Sequence, residues 1–136
     1  MPTEIVEIDF PGGKRVNAQV GPFLVTTDQP EKYGGEASAP APFDLFLASL
    51  ASCAGIYALS FCQARKLATE GLDLKMVCES DDRSKMITHI SLQLTLPREF
   101  PDKYRDGMIR AMEQCTVKKH IHNAPEFEIS LHPAAG

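Results

Sequence analysis

Four thiols, at Cys53, Cys62, Cys78 and Cys115, are the groups of widest chemical range in this 136-residue sequence. An ionised thiol is a nucleophile and a metal ligand, whereas a buried neutral one is an inert small hydrophobe. The four lie nine, sixteen and thirty-seven positions apart, so no Cys-x-x-Cys pair marks a zinc site or a thioredoxin-type centre. In a reducing compartment each is either a core filler or a reagent, and the spacing alone leaves both readings open. His120 and His122 have no third ligand near them in sequence and read as part of a solvated turn rather than a metal site. Lys118 and Lys119 read as surface solvation. Gly34-Gly35 does not open a helix after a strand, so no phosphate loop is indicated.

The elements that must position these thiols alternate in character along the chain. EIVEIDF, residues 4–10, alternates polar and apolar and predicts a strand ending at Pro11-Gly12-Gly13. Residues 15–20 and 23–27 predict two more strands around Gly21-Pro22, an antiparallel hairpin. DQPEKYGGEASAPAP, residues 28–42, is too poor in apolar residues for a regular element and reads as a long loop, ordered or mobile. A helix should begin near Pro42 and end before Gly71, its stop signal, and Cys62, about 900° around it from Cys53 at ~100° per residue, should face the core instead. Strands over 72–80 and 88–96 form a second hairpin through DDRSK, with Ile90, Leu92, Leu94 and Leu96 on one face and Cys78 as filler in the first strand. From Pro101 a second helix places Tyr104, Met108, Ile109, Met112 and Cys115 on one apolar stripe. A last strand, 126–132, alternates Phe127, Ile129 and Leu131. The expectation is an α+β fold, order βββ-α-ββ-α-β, as a single domain over 1–136.

Hydrophobic residues make up 43% of the chain and charged residues 24%, which excludes disorder and fibrous classes and gives material for one core. A net charge of −4 without a basic patch argues against nucleic acid and anionic membrane as partners. MPTEIVEIDF carries acids where a secretory signal would be basic, so the cytosol is the expected compartment. The uncharged run LFLASLASCAGIYALSFCQA, residues 45–64, is long enough to span a bilayer. Its serines, Gly55, Tyr57 and Gln63, and the amphipathic hairpins on both sides, favour a helix buried in protein. One subunit of this size encloses such a helix poorly, so two copies sharing a core, an obligate dimer, are expected.

PAPFDLFLASLASCAG, residues 40–55, a Pro-rich loop entering an apolar helix with a cysteine about ten residues in, resembles the OsmC/Ohr family of bacterial proteins, the osmotically inducible protein C and the organic hydroperoxide resistance proteins. MEQCTVKKHIHNAPEFEISL, residues 112–131, is similar to that family's second cysteine motif, and the order of elements agrees end to end. The departures, notably Thr116 where the family has proline after the second cysteine, point to a divergent OsmC-like branch.

The resemblance implies an intertwined homodimer in which antiparallel sheets wrap long central helices. It also implies thiol-dependent reduction of organic hydroperoxides, in oxidative stress defence, with Cys53 as peroxidatic nucleophile and Cys115 as resolving thiol. A thiolate near neutral pH needs stabilisation, because an unperturbed thiol ionises near ~8.5. In the hydroperoxide resistance branch an early-strand arginine, held by a glutamate, supplies it. Arg15 is the candidate here, with Lys14 as competitor. Phe43 stands at the glutamate position, so the orienting carboxylate would be Asp44 or Glu36, although an acid in the first helical turn also has a purely structural use. No bound cofactor or metal is implied; the reductant would be an external dithiol, a lipoyl protein in the family. The alternative is an OsmC-like ligand-binding or redox-sensing protein with little peroxidase turnover, its pocket lined by Phe43.

Overall fold

The computed structural model describes residues 2–135, and the chain divides into two compact units, 1–49 and 50–136. In the first, β1 (Glu7–Gly12), β2 (Arg15–Val20) and β3 (Phe23–Thr27) form an antiparallel sheet in sequence order. Gly13 and Gly21 turn the chain at φ +59° and +56°, a region that disfavours side chains with a Cβ. The β1–β2 ladder shifts between Asp9 and Gly12, a bulge that carries the strand through Pro11. Ile8 pairs with Ala18 and Val20 with Phe23, so these residues share one sheet face, and Ile8, Val20 and Phe23 on it are exposed.

The segment after β3 is ordered around one buried acid. The Asp28 carboxylate accepts from the Ser38 hydroxyl at 2.6 Å and from the backbone N–H groups of Gln29, Ser38 and Glu36. The Ser38 hydroxyl foremost, then the Gln29 and Ser38 amides, hold its pKa at about 2 against an ordinary 3.8. A Cβ on Gly35 would overlap the Gln29 carbonyl, so only glycine lets the loop fold back this closely.

The helix α1 (Pro42–Ala64) opens as the sequence predicts, with proline in its first turn. It stops at Ala64, well before Gly71, because Lys66 adopts φ +55° and the chain closes with Leu67 N–H on the Cys62 carbonyl and Lys66 N–H on that of Gln63. This is a left-handed helix stop achieved without glycine, which is why the pattern overextended the helix.

In the second unit, Leu50, Ala54, Ala58, Phe61 and Cys62 form the buried stripe of α1, a 3.6-residue period. Other positions, such as Ile56, stay exposed, so this chain alone does not bury the helix all round. The stripe packs on the hairpin of β4 (Asp73–Ser80) and β5 (Ile87–Thr95), whose register puts Leu74, Met76 and Cys78 opposite Leu94, Leu92 and Ile90 on one face. Ala58, Phe61, Cys62 and Met108 are the centre of this core, with Leu94, Leu96, Phe100 and Tyr104 around it. Cys62 is fully buried.

The predicted second helix is two helices. A 3₁₀ turn over Asp102–Tyr104 leads into α2 (Arg105–Met112), the chain breaks, and α3 (Thr116–His122) begins anew. Cys115 lies in the break rather than on a continuous stripe, and its sulfur accepts the Lys118 N–H at 3.5 Å as the cap of α3. His120 and His122 therefore sit on a helix, not in a turn.

The predicted last strand is not formed. Residues 123–135 have no regular structure, and Phe127, Ile129 and Leu131 are each about nine-tenths exposed. An alternating segment becomes a strand only against a hydrogen-bonding edge, and none within the described chain receives it. The fold is mixed α+β with two antiparallel sheets, of three and two strands, and three α-helices among the described residues.

Candidate active site

Cys53 lies on α1 three residues after Leu50 and beside Ala54, at the edge of the buried stripe, and is half-buried. Cys115, at the cap of α3, is 2% exposed. The two thiols, sixty-two residues apart in sequence, lie close enough to shift each other's ionisation. Burial pushes the Cys53 thiol up. The Val117 N–H, the Cys115 thiol and the Thr116 N–H outweigh that push, and the net pKa falls below the ordinary thiol value. Cys115 moves the opposite way: burial raises it, and its hydrogen bond and proximity to Cys53 outweigh the Lys118 and Val117 amides. The pair is polarised, with Cys53 the readier thiolate and Cys115 the proton donor to it.

Sequence reasoning identifies both thiols but misses the groups that tune them, because backbone N–H groups carry no residue-type signature. The one available signal is Thr116. A proline there would have no N–H to offer, and threonine supplies one to Cys53. Tyr57, one turn beyond Cys53 on α1, has its hydroxyl 3.3 Å from Thr116 Oγ1 and ties α1 to the start of α3.

The other expected site residues have local partners within the first unit. Arg15 is exposed and its Nε donates to the Gly12 carbonyl at 3.2 Å across the β1–β2 turn. Asp44 accepts the Ala41 N–H at 3.0 Å, reaching back from the first turn of α1 as helix-capping acids do. Phe43 stacks against Phe46 with ring centroids 5.5 Å apart. Lys14 has its side chain against Gly34, and Glu36 meets Asp28 through its N–H.

Beside Cys115 opens a cavity of about 350 Å³ walled by Leu50, Ile90, Leu92 and Ile121, with Lys118 at its edge. Its size and apolar lining suit a small organic molecule. Among the described residues no group of three or more His, Cys, Asp or Glu is placed to hold a metal.

The sequence model of the OsmC-like protein family matches residues 35–130. The chain belongs to the OsmC-like family. That family includes peroxidase and redox proteins. No curated protein matches the chain in sequence. Among solved structures, it is similar to an osmotic stress induced and detoxification response protein from Psychrobacter arcticus, at 21% identity over 90% of each chain, TM-score 0.72. It is also similar to an OsmC-like protein from Mycoplasma pneumoniae, at 15% identity over 90% of this chain and 89% of that one, TM-score 0.68. An organic hydroperoxide resistance protein OsmC from Legionella pneumophila aligns at 17% identity over 89% and 90% of the two chains, TM-score 0.53. At these identities the likeness shows the OsmC-like fold.

Proposed function

We propose that this OsmC-like protein is a thiol-dependent peroxidase that reduces organic hydroperoxides to alcohols. The observation that carries the reading is the juxtaposition of Cys53 on α1 with Cys115 at the cap of α3, two elements tied by Tyr57 and Thr116, with the Cys53 pKa pushed down and that of Cys115 up. The Cys53 thiolate attacks the hydroperoxide; an S–O bond forms, the O–O bond breaks, and the departing alkoxide takes a proton from water. Cys53 is then a sulfenic acid and the peroxide has been reduced to an alcohol. Cys115 attacks the sulfenic sulfur, an S–S bond forms, and water leaves with the Cys115 proton. An external dithiol, such as a lipoyl group, returns two electrons and becomes a disulfide. The apolar cavity beside Cys115 takes the alkyl part of the substrate. The assembly is a cytosolic homodimer, supported by the exposed apolar face of the three-stranded sheet and the bare alternating segment 126–132.

Cys53→Ser should abolish hydroperoxide consumption, followed by loss of peroxide in the presence of dithiothreitol. Cys115→Ser, treated without dithiothreitol because that dithiol would itself reduce the product, should consume about one equivalent and then stop as a trapped sulfenic acid. Sustained turnover by the Cys53 variant would overturn the assignment.

A further inference from the structure

One turn beyond Cys53, the same stripe of α1 continues through Tyr57 and Ser60 into an open groove of about 470 Å³, whose far wall is α2 and the residues just after it. Arg65, Arg110 and Gln114 complete its polar lining, and Phe61 is its floor. No carboxylate lines the groove, and the ion pair found among the described residues, Arg105 with Asp102, lies elsewhere. Two guanidinium groups thus share one depression without a countercharge, on a chain whose net charge is −4.

Arg65 is held in place. Its guanidinium stacks 3.6 Å from the centre of the Phe61 ring, and Nη1 donates to the Phe61 carbonyl at 3.2 Å. That bond serves the carboxyl end of α1 and uses one of five N–H groups, leaving the rest of the fork for a ligand. Gly107 keeps α2 close: a Cβ there would press the Phe61 ring at 3.2 Å and lie 3.7 Å from Arg110 Nη2, so the second guanidinium also lies near this floor.

We propose that this groove is an oxyanion site for a phosphate monoester, bound by Arg65 and Arg110 with Tyr57, Ser60 and Gln114 as neutral hydrogen-bonding groups. Two guanidinium forks with two hydroxyls and a carboxamide offer more donors than one carboxylate accepts, and a dianion matches their two charges. The phosphate is carried either by a free small molecule or by a lipid headgroup. The site is separate from the Cys53–Cys115 pair and stands or falls independently of the peroxidase reading.

The test is calorimetric titration of the reduced full-length protein with inorganic phosphate, beside co-sedimentation with phosphatidylcholine vesicles with and without phosphatidic acid. Arg110→Gln, which leaves the Arg65–Phe61 stack intact, and Arg65→Lys, which keeps the charge but loses the fork, should each weaken binding about tenfold or more. Saturable phosphate binding without vesicle retention assigns a free phosphate; retention that requires phosphatidic acid and is lost in Arg110→Gln assigns a headgroup. Absence of binding in both arms, or binding undiminished by either substitution, overturns the site.

Discussion

The Cys53 pKa is lowered by three neighbours that carry no formal charge: two backbone N–H groups and a thiol. Each acts only because α3 starts afresh at Thr116, so the break after α2 is what aims its first amides at α1. A lowered thiol pKa means more thiolate at a given pH, so the rate of Cys53 alkylation by iodoacetamide, measured in a Cys115→Ser background and compared with free cysteine, should reach half-maximum at lower pH. Thr116→Pro removes one donor at a helix position that tolerates proline, and should move that midpoint upward while the circular dichroism spectrum is retained. Arg15→Ala should leave the midpoint unchanged if the guanidinium serves only the β1–β2 turn, where its Nε donates to the Gly12 carbonyl. A rise in that variant would place the arginine at the thiolate.

At the scale of elements, the loop before α1 depends on Asp28, whose carboxylate accepts four hydrogen bonds from the segment it closes. Its folded pKa is depressed, about 2 against 3.8, so its contribution to stability is present above pH ~4 and is lost as pH falls toward 2. Asp28→Ala should speed amide exchange over residues 28–40 at neutral pH, and the excess over wild type should shrink in acid. Exchange unaltered by the substitution would show that the loop is held by its backbone contacts alone. Both hairpins were legible from alternation and turn residues to within a few positions, because a half-buried strand shows its period in its own sequence. The end of α1 was not, since a lysine, Lys66, closes the helix in the left-handed conformation well before Gly71. Nor was the break at Cys115, where an apolar period continues across two helices that the backbone separates. Cys53 and Cys115 were recognisable as a pair only through motifs surrounding them, and the amides that tune them left no trace beyond Thr116.

For the whole molecule, the same apolar residues read two ways. The 23-residue α1 is long and apolar enough to cross a bilayer, yet 28% of its apolar window is buried within this chain. Phe127, Ile129 and Leu131 alternate as a strand would while touching little of their own subunit. A second copy offering a sheet edge would use that alternation and cover the open face at Ile8, Val20 and Phe23. Light scattering after size exclusion should give twice the mass of one chain without detergent, and Ile129→Asp should shift the protein toward monomer. A monomeric wild type at micromolar concentration would contradict the assembly.

The central claim is that Cys53 and Cys115 form one redox unit, and the fate of the thiols measures it most directly. Reduced protein treated with one equivalent of cumene hydroperoxide, then blocked and mapped by mass spectrometry, should lose two thiols per subunit and gain a Cys53–Cys115 disulfide, with Cys62 and Cys78 still free. Retention of all four thiols would contradict the account and leave a ligand-binding OsmC-like protein in its place.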